Sequence, residues 1–145
     1  MSAHPDITLE RVEAWLSGED LVFERVDDEI LVDFPGCRIV FSLHGDGALL
    51  SSRGYWRGRF ETDQAEELRA LADSHHMRSN GPRMSVLRPE EGDHLLVGTA
   101  MAEYVVKGRS DEQLAFLLDL DVRMTMRFFA DIEERYPALV TWGES

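Results

Sequence analysis

The segment Gly108–Pro137, GRSDEQLAFLLDLDVRMTMRFFADIEERYP, constrains the fold more than any other part of the chain. Ser110 and Gln113 have capping-box spacing, in which two side chains satisfy orphan backbone N–H groups at a helix start. Asp111 and Glu112 place negative charge where the helix dipole is positive. Pro137 cannot extend the hydrogen-bond ladder and ends it. About 26 residues at 1.5 Å each predict a rod of roughly 40 Å. Leu114, Leu117, Leu118, Met124, Phe128 and Ile132 form one stripe, and Phe116, Leu120, Met126 and Phe129 widen it beyond the ~100° that one packing partner covers. The surplus needs the chain's other helices or a second chain. Asp121 and Thr125 interrupt the stripe. A buried carboxylate needs a partner or an outlet to water. Arg123 or Arg127 is the expected partner, and a wet symmetric contact is the alternative outlet. Leu117, Leu120, Asp121, Met124 and Phe128 are the expected homodimer interface.

The rest of the chain reads as an antiparallel sheet with two shorter helices. Residues 8–17 carry Leu9, Val12, Trp15 and Leu16 at helical spacing, and Gly18 is a stop. Residues 20–60 switch to period two, with turn chemistry at Asp27-Asp28, Pro35-Gly36 and Gly45-Asp46-Gly47. A fourth strand is expected from Leu49 to Arg59. A second helix spans 62–76, capped through Asp63 and Glu66, with Ala65, Leu68, Leu71, Ala72 and His75 as its buried stripe. Strands Arg83–Arg88 and Leu95–Val106 follow as a hairpin across Pro89–Gly92. The expected class is α+β in the order α-β-β-β-β-α-β-β-α, an antiparallel sheet backed by helices, as a single domain over 1–145.

The net charge of −13 opposes binding to nucleic acid or anionic lipid, because phosphates repel it. The charge is uneven: 1–50 sum to −8, 51–88 to +2 and 89–145 to −7. No apolar run reaches the ~18 residues of a membrane span. The first fifteen residues lack a basic n-region and an apolar h-region, so no signal peptide is expected. A lone cysteine, Cys37, points to a reducing compartment, read as the cytoplasm.

Catalytic and metal-binding patterns are sparse. No glycine-rich phosphate loop, paired-Cys motif or HExxH occurs. His44, His75, His76, His94 and Cys37 are the available metal ligands. Adjacent His75 and His76 point to different sides of a helix end, so one site cannot easily use both. Cys37 shares strand parity with Ile39 and Phe41 and is expected in the core, where a thiol is inert. The acid pairs Asp27-Asp28 and Glu90-Glu91 lie in turns. The expectation is no catalytic residue, no metal and no cofactor.

The segment Ser51–Phe60 offers a binding surface. Ser51, Arg53, Tyr55, Arg57 and Arg59 share one face; Ser52, Gly54, Trp56, Gly58 and Phe60 share the other. The second set is expected to pack on helices with Trp56 as anchor. The first is a cationic, aromatic surface on an acidic protein, suited to an acidic peptide or a phosphate. Arg53, Tyr55, Arg57 and Arg59 are therefore the candidate partner-binding residues.

The GRSDEQL helix start, the pair Phe128-Phe129 followed by Glu133, Glu134, Arg135, Tyr136 and Pro137, and Trp56 ahead of the acidic helix at Thr62 together resemble the YbjN-domain family across roughly residues 8–138. The resemblance implies a fold similar to the class I type III secretion chaperones, often dimeric, and a role among candidate sensory-transduction regulators. It supplies no catalytic residues. The chain departs from the family at His75-His76-Met77-Arg78, where Asn- and Trp-containing residues are expected. The reading is a non-enzymatic, chaperone-like regulatory module binding a protein or peptide. The alternative is a small-ligand sensor or an enzyme with a pocket between sheet and helices, near His75 and Trp56.

Overall fold

The computed structural model describes residues 4–142. Its elements are α1 (Leu9–Gly18), β1 (Phe23–Val26), β2 (Glu29–Phe34), β3 (Cys37–His44), β4 (Leu49–Trp56), α2 (Ala65–Arg78), β5 (Arg83–Leu87), β6 (Leu96–Tyr104) and α3 (Asp111–Arg135). Class and element order are those the sequence predicts. Thr8 caps α1 through its side-chain oxygen. Ser110 and Gln113 form the expected reciprocal box at α3. The second helix differs: a 3₁₀ turn at Thr62–Gln64 precedes it, and the box is Glu61–Gln64 rather than Asp63–Glu66. Of its expected stripe, Leu68 and Ala72 are buried, while Ala65, Leu71 and His75 are half-buried.

All strand pairs are antiparallel, in the order β1-β2-β3-β4-β6-β5. The hairpin β5–β6 thus joins the meander through its second strand. Asp27 and Asp46 hold the left-handed backbone of the tight turns, with Gly45 and Gly47 beside Asp46. Side chains of one parity (Ile30, Val32, Ile39, Phe41, Leu50, Trp56 and Val97) join α1, α2 and α3 in one continuous core. Gly54 permits this approach. A Cβ there would collide with Thr99 Oγ1 and lie 2.7 Å from Thr125 Cγ2 and 3.0 Å from Phe129 Cε2. The three helices therefore cover one face of the sheet, and the other parity (Leu31, Val40, Ser42, Ser51, Arg53, Tyr55) forms the second face.

Candidate functional site

The turn Pro35-Gly36 and the end of β4 meet at one corner of the sheet. Cys37 pairs with Trp56, and Arg38 with Tyr55. The chain leaves β4 at Trp56, three residues before the expected end, and regains the sheet margin through a bridge between Phe60 and Leu95. These paths enclose a groove of about 480 Å³, lined by Asp33, Phe34, Cys37, Arg38, Tyr55, Trp56, Arg57, Arg59, His94 and Leu96. Three of the four expected contact residues, Tyr55, Arg57 and Arg59, therefore share a cavity. Arg38 joins them, and strand parity could have found it, since it stands directly across from Tyr55.

Arg38 donates to Asp33 through Nε at 2.6 Å and Nη2 at 3.0 Å. Each holds the other's charge: the Asp33 carboxyl lies below its usual range and the guanidinium above its own. Arg57 donates to the Pro35 carbonyl at 3.2 Å and lies 5.8 Å from the centroid of Trp142, a cation–π arrangement. Trp142 in turn meets Trp56 edge-on at 5.4 Å. Gly36 makes this closure possible, because a Cβ there would lie 2.8 Å from both Trp142 Nε1 and Glu133 Oε2. No periodicity in the last residues announced Trp142 as part of this wall. Among the described residues Arg59 forms no ion pair, so its guanidinium is open to a ligand. Burial pushes the Cys37 thiol up to about 12 and removes it as a nucleophile at neutral pH.

Arg53 lies outside this groove. It spans β3 to pair with Glu29 of β2, and its Nε is buried without a partner. Ser42 and Ser51 are bonded at 2.7 Å, and His44 Nε2 lies 3.0 Å from Ser42 Oγ. These contacts roof part of the helix-free face, where Val40 and Ser42 are buried although no helix covers them.

Asp121 meets neither Arg123, which pairs with Asp119 at 2.9 Å, nor an open contact. It is 6% exposed and packs inward with Thr125, and its pKa is pushed up to about 6 by burial, opposed by the nearby Ser52 hydroxyl and assisted by Glu103. Ser52 Oγ and Thr99 Oγ1 remain buried without hydrogen-bond partners. Phe128 is also buried within the chain. Of the five residues expected at a dimer contact, Leu117 and Met124 are half-buried and Leu120 is exposed. Phe116, 70% exposed, stands with Leu117 and Leu120 beside Glu103 and Arg109.

His75 and His76 tie the end of α2 to β5. His75 Nε2 donates to the Pro82 carbonyl at 2.6 Å, and His76 Nε2 accepts from the Met84 N–H at 2.9 Å. Among the described residues no group of three His, Cys, Asp or Glu side chains is placed to hold a metal, and no helix is long and apolar enough to cross a membrane. His75 and Trp56 line separate cavities.

No family model matches the sequence, and no curated protein matches it at a significant level. Among solved structures, the crystal structure of YbjN from E. coli, described as a candidate transcription regulator, superposes with a TM-score of 0.71. The match covers 94% of this chain and 96% of that one at 14% identity. The chain has a YbjN-like fold.

Proposed function

We propose that the protein is a non-catalytic binding module that recognises an acidic segment of a partner protein in the groove of Arg38, Tyr55, Arg57 and Arg59. The observation that carries this reading is the gathering of three arginines and an aromatic ring around one cavity of a chain with net charge −13. Guanidinium groups present forked donors that match carboxylates bidentately. Tyr55, Leu96 and Phe34 supply apolar contact beside them. The regulator description of the YbjN structure agrees with a binding role. The module works in the cytoplasm as a homodimer through Leu117, Leu120 and Met124 of the expected contact, joined by the exposed Phe116.

Trp142 and Trp56 report on the groove directly. A peptide carrying several Asp or Glu residues and one aromatic is expected to shift their fluorescence on titration. Reversing Arg38, Arg57 and Arg59 to Glu is expected to weaken that binding by at least tenfold, about 1.4 kcal/mol. Unchanged affinity in the triple variant rejects the groove as the recognition site.

A further inference from the structure

Going beyond that reading, we infer that the seam between α2 and α3 is a second binding site, for a small phosphate ester bearing hydroxyl groups. A trough runs along the seam, with cavities of about 490 Å³ and about 290 Å³ that share His75, Arg78, Phe128 and Asp131. It shares no lining residue with the groove at Arg38. One end is tied by Tyr136, whose hydroxyl donates to Glu67 at 2.6 Å, and the middle by the His75 ring 4.7 Å from Phe128.

The guanidiniums of the trough keep most of their donors open, with Arg78 Nε donating to the Ser74 carbonyl at 3.2 Å. Arg78, Arg127 and Arg135 line it, and among the described residues none makes an ion pair within 4.0 Å. Asp131 is one helical turn from both Arg127 and Arg135 and pairs with neither. A trough holding unpaired guanidiniums and the carboxylates of Asp131 and Glu134 suits a ligand with both an anion and donors. Arginine forks take phosphate oxygens, and Asp131 accepts from ligand hydroxyls. The charged lining disfavours a bare acyl chain, which would strip water from these groups without replacing their hydrogen bonds.

Calorimetric titration of the full chain with ribose 5-phosphate, inorganic phosphate and ribose tests this inference. Ribose 5-phosphate is expected to bind at least about tenfold more tightly than inorganic phosphate, with no measurable heat from ribose. Arg78→Gln combined with Arg127→Gln is expected to weaken the sugar phosphate by at least about tenfold. Asp131→Asn is expected to weaken the sugar phosphate and leave inorganic phosphate unchanged. All three residues are exposed, so the variants are expected to keep the fold, checked by circular dichroism. Amide shifts at His75 and Gly81 are expected to locate the ligand. The inference is overturned by absence of heat at millimolar ribose 5-phosphate, by equal affinity for inorganic phosphate, or by unchanged affinity in the arginine double variant. The pair Arg57→Gln and Arg59→Gln, in the other groove, is expected to change nothing here; a loss of sugar-phosphate binding there would also overturn it.

Discussion

The N-terminal half of α3 buries Leu114, Leu118 and Asp121 and leaves Phe116 70% exposed and Leu120 38% exposed. The C-terminal half buries Phe128, Phe129 and Ile132 and turns Asp131 and Glu134 to solvent. Both halves bury apolar side chains, but the first adds a carboxylate inside and an aromatic ring outside. The difference lies in what the sheet offers. Under the C-terminal half, Trp56 and Phe60 give an apolar bed, with Phe60 edge-on to Tyr136 at 4.9 Å. Under Asp121 and Thr125, β4 and β6 offer Ser52, Gly54 and Thr99. Both halves are core elements, and the N-terminal one adds a buried carboxylate inside and an apolar surface outside.

Truncating Phe129 strikes the C-terminal half and is expected to have the largest effect. Phe129→Ala should cost about 3–5 kcal/mol in urea unfolding; a loss below about 1 kcal/mol would mean that the two halves contribute alike. Asp121→Asn strikes the other half and should stabilise. The folded-state pKa of about 6 lies above the ordinary 3.8, so the folded protein binds more protons than the unfolded chain between those values. Its contribution is therefore fully present below about pH 4 and lost as pH rises through about 6. The amide variant should gain about 2–3 kcal/mol at pH 7 and nothing at pH 4. Equal stabilities at both pH values would show a hydrated carboxylate and erase the contrast. Ser110→Ala, at the start of the polar half, should cost about 1 kcal/mol through loss of the cap, read as a lower melting temperature. Phe116→Ser with Leu120→Ser should change monomer stability by no more than about 0.5 kcal/mol. Light scattering at high micromolar concentration should nevertheless fall from dimer to monomer mass. A monomeric parent chain would remove the dimer from the reading.

Much of this was legible in the chain. The α3 caps, the turns at Asp27 and Gly45–Gly47 and the two parities of β4 follow from local chemistry, and Trp56 and Phe60 fell on the buried side as alternation required. The contact set Tyr55, Arg57 and Arg59 was legible for the same reason. Arg53 shares their face but lies outside the groove, because parity assigns a face and gives no reach: only the position of β2 shows Glu29 within its span. The surroundings of Asp121 were not legible because periodicity says that a residue lies on a stripe and leaves open what the sheet presents to it. Trp142 lies on no periodic element, so only the path of the chain past Gly36 brought it to the groove.

The sequence by itself determined the elements, their order, the cap of α3 and the face each strand presents, because these depend on neighbours a few residues apart. The tertiary structure decided the insertion of β6 between β4 and β5, the rotation of α3 that buries Asp121 and exposes Phe116, and the meeting of Arg38, Arg57 and Arg59 in one cavity. Those outcomes depend on which surfaces remain unburied after the local structure has formed, a property of the whole chain that no short window of it contains.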